Sequence, residues 1–153
     1  MTDLGIDFAQ KVLDEQPFSR LLGARITAFA DGAATLEVDI RDDLRQQFGY
    51  AHGGLLAYAA DNALTFAAGT VLGPAVLTGG FSVQYLRPAR DGTLRAEAYV
   101  VHAGRRQAVC RCDIYAVGPD TPDSGAAGDG ERGPELCAVA QGTILTAPQR
   151  TDA

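Results

Sequence analysis

Apolar and polar positions alternate with a period of two over four stretches in the second half of the chain: Leu77–Leu86, Thr93–His102, Gln107–Val117 and Leu136–Thr146. That is the pattern of strands with one face buried. Two shorter stretches, Arg25–Phe29 and Ala33–Ile40, flank Asp31-Gly32, a hairpin signal. In the second of them Leu36, Val38 and Ile40 share one face, while Glu37 and Asp39 share the other. The period changes between Gly53 and Gly69, where Ala and Leu dominate and Pro is absent. This segment predicts a helix closed by Gly69, Gly73 and Pro74, and its near-uniform apolarity predicts burial on most sides. A short amphipathic helix is expected within residues 4–15, with Leu4, Phe8 and Val12 on one side and Pro17 ending it.

Asp91-Gly92 and Ala103-Gly104 read as tight turns, which would make the first three long strands antiparallel neighbours. Residues 118–134 are rich in Gly, Pro, Asp and Ser and read as an exposed or disordered loop. The glycines there follow no strand-to-helix switch, so they do not make a nucleotide site. The whole, residues 1–153, reads as one α+β domain in two layers, a central helix against an antiparallel sheet. A helix this apolar needs cover from a strongly curved sheet or from a second subunit.

Composition narrows the function classes. Apolar residues make up 46% of the chain and charged ones 21%, enough for an ordinary core. The net charge of −6 argues against nucleic acid as a partner. The three cysteines, Cys110, Cys112 and Cys137, are odd in number and read as small buried hydrophobes rather than a disulfide framework. Met1 to Gln16 is mixed and acidic, so no secretory leader is expected, and Asp61 and Asn62 interrupt the one stretch that approaches a membrane span. The expected location is cytoplasmic, with no membrane partner. There is no zinc-ligand spacing, P-loop or Ser-His-Asp signature, and no cofactor or metal is expected.

Asp61 is the only Asp, Glu, Lys or Arg between Arg45 and Arg87, and it sits inside the most apolar helix. Burying a carboxylate costs several kcal/mol unless it is hydrogen-bonded or neutralised. Helical geometry puts Gly54, Tyr58, Asp61 and Thr65 on one stripe and Leu56, Ala60, Ala63 and Ala67 on the opposite one. A purely structural Asp61, satisfied by Thr65 or by backbone, is the competing reading. His52-Gly53-Gly54 opens the same helix, where the first N–H groups have no internal partner and can stabilise an oxyanion. Gly54 and Asp61 lie seven residues apart, hence ~10 Å along the axis. A reacting carbonyl needs both groups within ~3 Å. One helix cannot supply both, but a two-fold axis can, by bringing Asp61 of one chain to the helix start of its partner.

Gln46-x-x-Gly49-x-x-His52-Gly53-Gly54 followed by Asp61 resembles the PaaI-like (phenylacetate-pathway) hotdog thioesterases. The resemblance continues through Tyr85-Leu86-Arg87-Pro88-Ala89-x-x-Gly92 and Gly104-Arg105, and spans Phe18 to Thr146 apart from the 118–134 segment. It implies a hotdog fold, a long helix wrapped by a curved antiparallel sheet, assembled as dimers and often tetramers. It also implies hydrolysis of acyl-coenzyme A. By the same resemblance, Gly53 is the oxyanion donor with Gly54 beside it, and Asp61 is the nucleophile or general base. Thr65 matches a substrate-contacting hydroxyl, and Thr78 falls near a Ser or Thr that orients the attacking water. Gln46 replaces the usual Asn of the family and adds a methylene.

His52 reads either as an acid or base or as a residue fixing the loop. The expected acyl group is aromatic or medium-chain, in a slot near Tyr58, Asn62, Thr65, Ala68 and Gly69, with Phe48 and Tyr50 close by. Arg87, Arg90, Arg105 and Arg106 are the candidates for coenzyme A phosphates or are ordinary surface charge. Two rivals remain: a hotdog hydratase or dehydratase, and a non-catalytic acyl-coenzyme A-binding module. The first lacks its distinct His-containing motifs here, and retention of Asp61 speaks against the second.

Overall fold

A computed structural model describes residues 5–118 and 133–148. Two short helices, α1 (Ile6–Asp14) and α2 (Pro17–Leu22), lead into a hairpin of β1 (Arg25–Ala30) and β2 (Ala33–Asp39). A 3₁₀ turn (Asp42–Leu44) and a loop precede the long helix α3 (Gly53–Leu72). Four longer strands follow: β3 (Val76–Tyr85), β4 (Thr93–Ala103), β5 (Gln107–Val117) and β6 (Glu135–Thr146). All six form one antiparallel sheet in the order β1-β2-β4-β5-β6-β3. The 118–134 loop expectation falls almost wholly outside the described residues.

The sheet closes over α3. Period-two patterning turns Leu36 and Val38 of β2, Leu94 and Ala96 of β4, Cys110, Cys112 and Ile114 of β5, and Ile144 of β6 toward the helix, all fully buried. From α3 itself Ala59, Ala60, Ala63, Leu64 and Ala67 are fully buried. Small side chains on that face let the helix lie close to the sheet. By length and apolarity α3 could cross a membrane, but over half of it is enclosed by the rest of the chain, as a core helix is. The three thiols are unpaired and buried, as expected. Burial first, then the Asp113 and Glu97 carboxylates, push the Cys112 thiol up to about 12, so these positions are packing residues, not nucleophiles.

Three expectations change. Asp91-Gly92 does not join neighbouring strands: β3 lies on the sheet edge beside β6, three places from β4. The turn sets only the local direction into β4. Before it, Leu86 and Arg87 donate backbone N–H bonds to Cys137 O, and Ala89 O accepts from Ala51, so the chain crosses in front of the start of α3. The second change is in α1, which buries Ala9 and Leu13, while Phe8 is partly exposed and Leu4 lies outside the described residues. The third is that Pro17 also begins α2, because a proline at the first helical position loses no bond the helix would have made.

Candidate active site

Asp61 lies midway along α3, half-buried, on the stripe its spacing predicts. Its partner comes from β3. Thr78 Oγ1 donates to Asp61 Oδ1 at 2.6 Å, and Thr65 Oγ1 lies 3.1 Å from Thr78 Oγ1. Thr65 donates to the Asp61 backbone carbonyl at 2.8 Å, not to its carboxylate. The sheet register slips between Thr78 and Gly80, so Gly79 is an extra residue in β3. Bulges of this kind re-aim a neighbouring side chain. A Cβ on Gly79 would sit 3.1 Å from Leu145 Cδ1 and 3.3 Å from Thr143 O, so a small residue suits the bulge. Asp61 has no cationic partner among the described residues, and Oδ2 accepts no bond from them. One carboxylate oxygen is held, and the other is free to take a proton or attack carbon.

The second centre is the start of α3. Residues 45–51 form a tight loop: Arg45 and Ala51 pair across it, Gln46 N–H bonds Tyr50 O, and Gly49 adopts φ +88°, a conformation suited to glycine. The Gln46 carboxamide oxygen accepts from the backbone N–H of Phe48 and of Tyr50. Its extra methylene lets the amide oxygen fold back onto its own loop, and Nε2 has no acceptor among the described residues. Arg45 ties this loop to the next: it donates to Gly49 O and Arg90 O and pairs with Asp42 and Asp91. Arg45 has no separate signal in the sequence, where it is the last residue of the charged run Arg41-Asp42-Asp43-Leu44-Arg45.

His52 is the N-cap of α3. Its Nδ1 accepts the Gly54 N–H at 2.8 Å. Gly54 is therefore not a free oxyanion donor, which corrects the expectation for that residue, and the imidazole ties that amide into the loop as the structural reading of His52 expects. The Gly53 N–H has no acceptor among the described residues, while Gly53 O accepts from the Tyr85 hydroxyl at 2.7 Å. Tyr85 is a second residue of the site that was read only as part of a motif. Gln46, Tyr50, Gly53, Tyr85 and Arg87 line one cleft of about 290 Å³.

Other expected contacts separate. Tyr58 and Asn62 turn toward α1 and α2: Tyr58 donates to Ser19 Oγ at 2.7 Å, and Asn62 Nδ2 reaches Gln16 Oε1, Ser19 Oγ and Tyr58. They dock the N-terminal helices, a structural duty invisible without tertiary contacts. Burial pushes the Tyr58 phenol above its usual range. Phe48 is 72% exposed, and Ala68 is wholly enclosed in the core. Arg87 is exposed and 3.5 Å from Glu135. Arg90 stacks over the Tyr50 ring. Arg105 and Arg106 lie in the β4–β5 turn, at the sheet end that carries Leu77, whereas Arg87 follows Tyr85 at the other. Eight residues of strand separate those ends, roughly 25 Å, so one protomer cannot join the three guanidinium groups around one phosphate cluster.

Residues 48–122 match the family profile of the thioesterase superfamily. A thioesterase family protein of known structure from Silicibacter pomeroyi is 31% identical, over 92% of this chain and 98% of that one, with a TM-score of 0.77. The chain belongs to the thioesterase superfamily. Its structural neighbours also include a single-residue mutant of the phenylacetic acid degradation protein PaaI from Thermus thermophilus, 29% identical over 86% of this chain and 99% of that one, with a TM-score of 0.70. A 1,4-dihydroxy-2-naphthoyl-CoA hydrolase of Listeria monocytogenes is 26% identical over 95 residues, 61% of this chain and 77% of the relative. The PaaI-like resemblance and the hotdog fold both hold.

The protein is a thioester hydrolase with a hotdog fold. A hotdog thioesterase carrying His52→Ala is expected to lose the cap, about 1 kcal/mol, or a fall in Tm of roughly 2–4 °C for a chain of this size. His52→Asn, which can still accept the Gly54 N–H, should recover most of it. Thermal melts paired with thiol-release rates check this. A rate collapse beyond about 100-fold in the well-folded Asn variant would give His52 a part in the chemistry.

Proposed function

We propose that this thioesterase hydrolyses acyl-coenzyme A to the free acid and coenzyme A, with Asp61 as nucleophile or general base and the Gly53 N–H as oxyanion donor. The observation that carries this is the Asp61 carboxylate, held on one oxygen by Thr78 and unspent on the other. In the general-base route Asp61 takes a proton from water as the water oxygen attacks the thioester carbon. In the nucleophilic route Asp61 attacks first, and water then cleaves the resulting anhydride. In both, the carbonyl oxygen gains negative charge against Gly53 N–H at the positive end of α3. The C–S bond then breaks and sulfur leaves as thiolate, to be protonated from solvent. Gln46 Nε2 stands in the same cleft as a second donor to the thioester or to water. Single-turnover hydrolysis in ¹⁸O-water separates the routes, since attack by Asp61 leaves label in the protein.

Gly53 and Asp61 are eight residues apart on one helix, ~12 Å along its axis, so a complete site needs a second copy of this chain. The free edge of β3 supports that arrangement. Among the described residues β3 is paired only with β6, and it exposes Leu77 and Tyr85. An unpaired edge with apolar side chains is a template for another strand. Two chains joined there about a two-fold axis would set Asp61 of one near the helix start of the other. A dimer is expected, and a dimer of dimers is the fuller assembly. Light scattering coupled to activity tests it, and an active monomer would end the shared-site reading.

Thiol release from a panel of acyl-coenzyme A esters tests the activity. Aromatic and medium-chain acyl groups are expected to outperform acetyl. Binding without release would make the protein an acyl-coenzyme A-binding module, and loss of an enoyl chromophore without release would make it a hydratase.

A further inference from the structure

His52-Gly53-Gly54 puts two consecutive glycines where the oxyanion donor has to be aimed. Glycine has the most permissive backbone of any residue. An oxyanion donor is effective only when its direction is fixed before the charge develops. The two demands conflict unless something outside the glycines holds the turn. Neither glycine has a positive φ, so the helical backbone at 53 and 54 does not itself require them. Their neighbours do. A Cβ on Gly53 would stand 3.3 Å from the Tyr85 hydroxyl oxygen, and a Cβ on Gly54 would stand 3.0 Å from His52 Nδ1.

Those two groups grip one peptide unit, the one joining Gly53 to Gly54. Tyr85 Oη donates to its oxygen at 2.7 Å, and His52 Nδ1 accepts its N–H at 2.8 Å. A peptide unit is planar, so holding both ends fixes the plane between the two soft residues. The surrounding amides are also engaged. Ala51 N–H donates to Ala89 O, His52 N–H to Leu44 O, and Leu55 N–H to His52 O. From Ala51 to Leu55, the Gly53 N–H alone has no acceptor among the described residues.

The Tyr85 end of the grip belongs to the sheet. Tyr85 ends β3 opposite Ala138 of β6, and the next two residues, Leu86 and Arg87, both donate to Cys137 O. Strand pairing, not the helix, therefore sets where the phenol stands. Tyr85 is 53% exposed, and a hydrogen bond that water can replace adds little to stability. Its consequence is direction.

We propose that Tyr85 is a positioning residue for hydrolysis: its hydroxyl locks the Gly53–Gly54 peptide, and so aims the Gly53 N–H at the thioester oxygen. The proposal rests on the thioesterase reading with Gly53 as oxyanion donor. Tyr85 acts through Gly53 and transfers no proton.

The experiment uses Tyr85→Phe, which removes the hydroxyl and keeps the ring. Turnover of the acyl-coenzyme A panel should show kcat lowered about tenfold, less than the ~10²–10³ that loss of an oxyanion donor costs. KM should stay within about twofold, and Tm within about 4 °C. A vibrational measurement reads the aim directly. The fastest-released ester of the panel, labelled with ¹³C at its carbonyl, is bound to Asp61→Asn, with and without Tyr85→Phe. Hydrogen bonding from Gly53 should lower the carbonyl stretch, and Tyr85→Phe should return it part of the way to the solution value. An unchanged stretch, or a raised KM at constant kcat, would overturn the role. A basic limb of the kcat–pH profile that vanishes in Tyr85→Phe would make the phenol a proton donor, and would overturn it too. Wild-type turnover with an unaffected Tyr85→Phe defeats this role alone. If no ester releases thiol in the wild type, the thioesterase reading has failed and this role fails with it.

Discussion

Asp61→Asn should lower kcat by about 10²–10⁴, the usual scale for removal of a general base, while KM for an acyl-coenzyme A ester stays near the wild-type value. The substitution keeps an acceptor oxygen for the Thr78 hydroxyl, so the 2.6 Å bond has a successor and the fold should hold. What disappears is the anionic oxygen that abstracts a proton or attacks carbon. At about 1.4 kcal/mol per decade, the loss corresponds to roughly 3–5 kcal/mol of transition-state stabilisation. Thiol-release kinetics together with a melting curve separate this from unfolding. Thr78→Ala should be milder, about 10-fold, because it frees the carboxylate without removing it. Wild-type turnover in folded Asp61→Asn would take Asp61 out of the mechanism.

Gly92→Ala should be the most damaging substitution outside the candidate site. Gly92 has φ +89°, and a Cβ there would stand 2.2 Å from Val117 O and 3.0 Å from Gly118 Cα. Backbone strain alone costs about 1–3 kcal/mol. The clash is with the backbone of β5, which pairs with β4 at Thr93–Val117 and cannot swing aside. Ile40 N–H also donates to Gly92 O at 2.9 Å, tying in the end of β2. A total of roughly 3–5 kcal/mol is expected, hence a Tm lower by about 10 °C or more. Gly32→Ala is the control. Gly32 shares the positive φ, at +77°, but a Cβ there meets nothing within 4 Å, so only the strain of about 1 kcal/mol should appear. Equal melting temperatures for the two variants would show that the Val117 contact relaxes at little cost.

The elements were legible because their signals are local. Alternation along β2, β4, β5 and β6 follows from the two-residue pleat. The reach of α3 follows from an Ala- and Leu-rich run that Gly73 and Pro74 close. Asp61 was legible for a related reason. A lone charge in an apolar helix is anomalous in any fold, and the stripe it shares with Thr65 is set by helical geometry alone.

Pairing and partners were not legible, since both depend on where distant segments meet. Asp91-Gly92 looks like a hairpin turn whether its strands are neighbours or three places apart, and only the closed sheet puts β3 on the edge. Tyr58 and Asn62 sit beside Asp61 on the helix surface, yet the docking of α1 and α2 claims them for Gln16 and Ser19. The sequence by itself determined the elements, the family pattern and the carboxylate at the heart of the candidate site. It left His52 with two readings, and only the folded chain shows its imidazole capping the Gly54 amide. Tertiary structure alone decided that Thr78 holds Asp61, through a bulge whose register no short-range pattern specifies. It also decided that α1 walls a cavity beside Thr65. Both are contacts between segments far apart in sequence, whose free energy exists only once the chain has closed on itself.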